Sequence, residues 1–368
     1  MGVSTKLHLL GFKSEGSLPT AAALFFFVLR YDRLFGMKSS IHKGFWANLP
    51  TPIMVQAPMA DVTDAAFRRV IAKYGKPDVL WTEFVSCDGL CSEGRKNLLP
   101  DLWFDESERP IVAQIFGGKP ENFTKTAQLC VELGFDGIDI NMGCPSKDIE
   151  KSKAGAGLIK YPELAKEIIE ATKAGAGDLP VSVKTRIGYR EDETETWIRM
   201  LIEAQPAVLT IHARTRNEMS KVPARWDTIK RAVEIAHELF PDPKDRPLIF
   251  GNGDVQNLEE AKARVEETGC DGVMIGRGIF GNPWLYNEEV NLEDLPVAEK
   301  LRVMLEHTKL YIDLLGEIKP LDIMKKHYKA YVNGFDGAAK LRAELMEATD
   351  YQQLSKIVEN FLNSNGSE

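Results

Sequence analysis

Eight short, β-rich apolar runs alternate with helical stretches between Ile53 and Gly276. The runs are Ile53–Ala57, Val79–Phe84, Ile111–Phe116, Gly137–Asn141, Val181–Arg186, Val208–His212, Leu248–Gly251 and Gly272–Gly276. Apolar residues at helical spacing fill Val62–Tyr74, Pro120–Leu133, Pro162–Lys173 and Trp226–Leu239. Such alternation predicts an α/β fold, a (β/α)8 TIM barrel over residues 46–290. An open doubly wound sheet would carry a glycine fingerprint after its first strand, and here Ala57-Pro58-Met59 follows instead.

From about Asn291 the strand signals stop. Leu301, Met304, Leu305, Thr308, Tyr311, Ile312 and Leu315 share one helical face, and Leu341, Leu345, Tyr351, Leu354, Val358 and Leu362 form a second. A C-terminal all-helical domain is expected over 291–368. Between its faces lies Ile323–Lys329, a basic and aromatic cluster that reads as a solvated helix face or as a nucleic-acid contact. Residues 1–45 form an N-terminal extension whose apolar run, Leu18–Leu29, is too short for the roughly 20 residues of a spanning helix. A helix packed on the barrel, a disordered extension and a targeting element all fit it, and Met37 offers an alternative start. No stable membrane association is expected. Five cysteines, an odd number, make no disulfide framework, and a reducing cytoplasmic setting is the simpler expectation. The net charge of −8 supplies no global field for nucleic acid, although a local basic surface can sit on an acidic body.

Polar groups gather where the predicted strands end, the rim at which barrels bind ligands. Asn141 and Cys144 end the fourth run, in Asn141-Met142-Gly143-Cys144-Pro145. Lys184 and Arg186 end the fifth, and His212 and Arg214 the sixth. Asn252-Gly253-Asp254 and Gly276-Arg277-Gly278 follow the last two. Glycine-rich ends before helices present free amides, so a phosphorylated ligand is expected, with Arg277 adding a charge-assisted bond. Gln114 and Lys184 suit a flat, electron-rich heterocycle. Flavin mononucleotide (FMN) satisfies both features, and a phosphorylated sugar satisfies the anchor alone. Cys144 reads either as a reactive thiol or as a small buried hydrophobe. Cys87 and Cys91 lack the second pair that a zinc site needs, so no metal is expected.

These segments together resemble the tRNA-dihydrouridine synthase family, flavin enzymes that reduce a uracil of transfer RNA. The resemblance runs from about Ile53 to Asn287, more weakly through the helical tail. It rests on Ala57-Pro58-Met59-Ala60-Asp61-Val62-Thr63-Asp64, Thr82-Glu83-Phe84-Val85, Asn141–Lys147 with Gly155-Ala156-Gly157-Leu158, Ser182–Gly188, Ile211–Arg216, Gly251–Asp254 and Met274–Gly278. It implies FMN as cofactor, NADPH or NADH as reductant and tRNA as partner; a monomer is expected, although the sequence does not fix the oligomeric state. Ala57, Pro58 and Met59 would line the flavin, and Gln114, Lys184 and His212 would contact its rings. Asn252, Gly253, Asp254, Gly276 and Arg277 would hold its phosphate. Hydride from flavin N5 would reach uracil C6, and Cys144 would protonate C5 as general acid. Asn141 would orient the base. Arg186 and Arg216 would stabilise its oxygen or hold phosphate. Lys147, Lys325, Lys326 and Lys329 would meet the RNA backbone.

The family commonly has glycine at the position of Ala213 and alanine at that of Gly251, swaps expected to be tolerated. The stretch Asn217–Trp226 lacks the usual glycine, so another loop path is expected. A flavin barrel acting on free pyrimidines or dihydroorotate is the neighbouring alternative. A non-catalytic RNA-binding protein is the distant one.

Overall fold

A computed structural model describes residues 41–365, so the readings of Leu18–Leu29 and Met37 lie outside the described residues. The strands are β1 Ile53–Gln56, β2 Leu80–Trp81, β3 Val85–Ser86, β4 Ile111–Phe116, β5 Gly137–Met142, β6 Val181–Arg186, β7 Val208–His212, β8 Leu248–Asn252 and β9 Gly272–Ile275. Every pairing is parallel, in the order β1-β9-β8-β7-β6-β5-β4-β2, with β3 also on β4. A bridge from Val55 to Val79 brings the two ends of this sheet together. The fold is a (β/α)8 barrel followed by helices.

One expected strand is broken in two. The run Val79–Phe84 leaves the ladder after Trp81, and pairing resumes at Val85. At Thr82 a hydroxyl replaces a backbone acceptor, receiving the Gln114 amide at 3.1 Å. The next side chain, Glu83, turns to the Asp61 amide at 2.5 Å and to Lys319 at 3.1 Å. The Thr82 hydroxyl thus satisfies a β4 amide beside the break, whereas Glu83 bonds groups outside the sheet.

Alternation along the strands sorts the core into two sets. Met54, Leu80, Ile111, Ile140, Val183 and Ile211 face the surrounding helices. Val55, Trp81, Val112, Val208, Phe250 and Met274 fill the lumen instead. Trp46, on the short helix Gly44–Asn48 just before β1, joins this inner set. Its ring lies 5.7 Å from both Trp81 and Phe250 and stoppers the amino end of the barrel.

The tail consists of helices Val297–Leu315, Lys325–Tyr331, Ala338–Glu347 and Tyr351–Asn365. Both expected apolar faces are turned inward, and Ala66 and Val70 of the Ala65–Tyr74 helix share their core, as does Trp284. Tail and barrel are therefore joined by apolar packing. Within the Ile323–Lys329 cluster, His327 and Tyr328 are buried, which leaves only the lysines for a surface role. Among the described residues, no helix is long and apolar enough to cross a membrane.

His307 and His327 meet at 4.8 Å in this shared core, against Phe67. Among the described residues, Nε2 of His307 and both ring nitrogens of His327 have no hydrogen-bond partner. Burial pulls His307 down to about 3 and His327 well below its ordinary value. Both rings stay neutral when folded, so their contribution is complete above the unfolded value of roughly 6.5. It is lost as pH falls from there toward the folded values. The urea midpoint is expected to drop between pH 7.5 and 5, and to depend less on pH in a His307→Leu, His327→Leu variant. Equal slopes in the two proteins would refute this account.

Candidate active site

The loop after β5 is built on one asparagine. The Asn141 Oδ1 accepts from the amides of Gly143, at 3.1 Å, and Cys144, at 2.9 Å, which turns the chain sharply out of the strand. Ala156 N donates to the Cys144 carbonyl at 3.0 Å. Gly155, at φ +57°, has no room for a side chain, because a Cβ would lie 2.8 Å from that same carbonyl. The thiol is half-buried. Burial raises its pKa, and Lys184 and Arg186 offset this only in part, so Cys144 is protonated at neutral pH.

Two arginines fasten this loop to its neighbours. Arg186 donates from Nε to the Gly143 carbonyl at 2.8 Å and from one terminal nitrogen to Thr215 O and Met219 O. Arg216 pairs with Glu150 and donates to Pro145 O at 3.1 Å. Glu150 also accepts from the Tyr189 hydroxyl at 2.7 Å.

Ala57, Pro58, Met59, Lys184, His212, Asn252, Gly253, Asp254, Gly276 and Arg277 line one cavity of about 250 Å³ at the carboxyl ends of the strands. Gly253, at φ +134°, is required there: a Cβ would lie 2.8 Å from that of Ala224 and 3.3 Å from the His212 ring. Among the described residues, nothing accepts from the amides of Asp254, Val255, Arg277 or Gly278. Arg277 is largely exposed and reaches Asp254 only at 3.4 Å, so it is available to an anion. Asp254 is held by Arg214 and by the Ala224 amide. The His212 ring is kept neutral by burial and by Arg186, Lys184 and Arg214. Its Nε2 accepts from Arg214 at 3.2 Å, which puts the ring hydrogen on Nδ1. Burial and Arg186 pull Lys184 down to about 8, still mostly cationic at pH 7. Among the described residues, no cluster of three or more His, Cys, Asp or Glu is arranged to hold a metal.

A model of the family "Dihydrouridine synthase (Dus)" matches residues 55–365. The chain belongs to the dihydrouridine synthase family. It is 40% identical over 326 residues to the "Probable tRNA-dihydrouridine synthase" of Staphylococcus aureus strain MRSA252, covering 87% of this chain and 96% of that protein. Identity is also 40%, over 87% of this chain and 97% of the relative, to the "Probable tRNA-dihydrouridine synthase 2" of Bacillus subtilis strain 168. Among solved structures, the 6-hydroxypseudooxynicotine amine oxidase of Pseudomonas geniculata N1 aligns with a TM-score of 0.50 at 11% identity. That alignment covers 91% of this chain and 67% of the oxidase, and the likeness is one of fold. As a dihydrouridine synthase family member, the chain is an enzyme.

Not all of the expected site residues line this cavity. Gln114 and Asn141 do not line the cavity but bond each other at 3.0 Å below the loop that bears Cys144. Lys147 is exposed on the helix Lys147–Lys151. In the tail, Lys329 is exposed, Lys326 donates to the Asp61 carbonyl, and Lys325 pairs with Asp322 at 2.7 Å. The Asn217–Trp226 loop is folded over Glu218, which accepts from Thr215 N and Arg225. Ser220 of this loop reaches the cavity. The swap expected to be neutral at Gly251 is not neutral here, since a Cβ would meet the Trp226 ring at 2.2 Å. Glu150 and Tyr189 carry no sequence signal of their loop-holding role, because neither belongs to a periodic or glycine-rich pattern.

Proposed function

We propose that this enzyme reduces a specific uridine of tRNA to 5,6-dihydrouridine, with FMN as cofactor and NADPH or NADH as electron source. The observation that carries this reading is a protonated thiol, Cys144, on a rigid loop at the same barrel rim as a cavity with an anion cradle at one end. The residues fit FMN. Amides after β8 and β9 that are unpaired among the described residues, a side-chain-free Gly253 and a largely exposed Arg277 held only loosely by Asp254 suit its phosphate. Ala57, Pro58 and Met59 offer the apolar wall, while Lys184 and the Nδ1 hydrogen of His212 offer a charge and a donor to an electron-rich ring. When bound, FMN would supply the hydride that goes to C6 of the base.

The chain's own part is proton delivery and placement. Cys144 gives its proton to C5 as electron density builds on the uracil. Asn141 keeps one Nδ2 hydrogen for the base after donating the other to Gln114. Arg186 and Arg216 serve by fixing the loop carbonyls, with Arg186 also placing positive charge near O4. The base must leave its stack to enter, at a few kcal/mol. Lys147, Lys325, Lys326 and Lys329 would repay part of this through the RNA backbone.

Purified protein with flavin absorbance, and tRNA lacking dihydrouridine at one defined position in a strain deleted for the gene, are the expected results. Flavin with unchanged tRNA would instead assign the site to a free pyrimidine.

A further inference from the structure

We infer that Asp139 is a positioning residue, setting the polarity of a hydrogen-bond relay that runs through Gln114 and Asn141 to the loop bearing Cys144. The inference rests on the proposed role of Cys144. Ile138, Ile140 and Met142 of β5 face the outer helices, so Asp139 and Asn141 face the lumen. Asp139 is 1% exposed, and a buried carboxylate persists only where its oxygens are paired. Both are. Oδ1 accepts from the Ser182 hydroxyl at 2.6 Å and Oδ2 from Gln114 Nε2 at 2.7 Å. Gln114 Oε1 then accepts from Asn141 Nδ2 at 3.0 Å, and Asn141 Oδ1 accepts from the amides of Gly143 and Cys144.

Each primary amide has a donor end and an acceptor end, whereas a carboxylate only accepts. An ionised Asp139 therefore forces the nitrogen of Gln114 downward and its oxygen upward. The nitrogen of Asn141 follows, and its oxygen is left for the loop. Burial pushes the Asp139 carboxyl up to about 6, so it is ionised at pH 7.5. Were residue 139 able to donate, both amides could turn over together. The Asn141 NH2 would then face two N–H groups, donor against donor. Among the described residues, Asn141 is the sole acceptor of those two amides, while Arg186, Arg216 and Ala156 hold the loop by its carbonyls. Turning the relay over would release the loop on its amide side.

The test is alkylation by iodoacetamide of flavin-loaded Cys91→Ser protein, since Cys91 is exposed and Cys87, Cys130 and Cys270 are buried. Peptide mass spectrometry reads each thiol separately. Adding Asp139→Asn, which can donate as well as accept, is expected to speed alkylation of Cys144 about 10-fold and leave the buried thiols unchanged. The kcat for uridine reduction should fall by about 30-fold, with KM for tRNA within about 3-fold. Should Asp139→Asn fail to fold, Gln114→Met cuts the relay one link higher and should expose Cys144 likewise. Unchanged Cys144 alkylation overturns the inference, even if kcat falls. Equal acceleration at all the cysteines also overturns it, because that is general loosening. Alkylation needs no tRNA, so the result stands apart from whether tRNA is the substrate.

Discussion

Cys144→Ala protein is expected to bind flavin and tRNA normally yet reduce uridine about 10³-fold more slowly, as befits loss of a positioned general acid. Cys144 is not among the cavity-lining residues, so the cofactor loses no contact. Its backbone amide and carbonyl make the loop bonds, so the loop keeps its shape. Single-turnover kinetics separate the two halves of the reaction. Flavin reduction by NADPH should be unchanged, and reoxidation by tRNA should become slow. Because burial raises the thiol pKa above its ordinary value, Cys144 should stay protonated through pH 8, so a fall in wild-type reoxidation near that pH would come from Lys184, which is pulled down to about 8. Rapid reoxidation of the alanine variant by unmodified tRNA would remove Cys144 from the acid role.

Glu108→Ala is expected to lower stability by about 3–5 kcal/mol, measured by urea unfolding. Arg68 and Glu108 form an ion pair at 2.6 Å with both side chains 0% exposed. Arg68 also donates to Thr63 O at 2.6 Å and to the Trp103 carbonyl. Truncating the carboxylate strands a buried guanidinium. Replacing both partners by apolar residues, as in Arg68→Met with Glu108→Leu, should recover much of the loss. The effect should also reach the cavity. The Thr63 hydroxyl accepts from the Met59 amide at 3.0 Å, so a loosened Thr63 frees the Ala57–Met59 wall and flavin should dissociate faster. A Glu108→Ala protein with wild-type stability would show that this pair is not structurally important.

Legibility in the sequence followed the physics of each signal. Strands β4 to β9 announced themselves because each carries buried β-branched or other apolar residues on the helix-facing side, with polar residues only at lumen positions and strand ends. That Ala57–Met59, Lys184, His212, Asn252–Asp254, Gly276 and Arg277 share one cavity was legible because strand ends of a barrel converge on one rim. Side-chain pairings were not. The break after Trp81 depends on a hydroxyl of Thr82 meeting an amide on β4, a contact between positions far apart in the chain. That Arg216 pairs with Glu150 was not legible because Glu150 lies on the helix Lys147–Lys151, far away in the chain, and only folding brings them together. His327 and Tyr328 looked like part of a basic surface because lysines surround them, although the helix turns those two rings into the core. Gly251 appeared replaceable because nothing local revealed that the ring of Trp226 fills the space of its missing Cβ.

The tryptophan beneath the lumen has a kinetic consequence. With Trp46 packed against Trp81 and Phe250, side chains fill the amino end of the barrel among the described residues, and the cavity lies at the carboxyl ends of the strands. Under the proposed function, nicotinamide and uracil have to visit that carboxyl end by turns. The oxidised dinucleotide must depart before the RNA docks, so the enzyme works as a shuttle between two visitors. An excess of tRNA should then compete with the dinucleotide and slow the catalyst that it feeds.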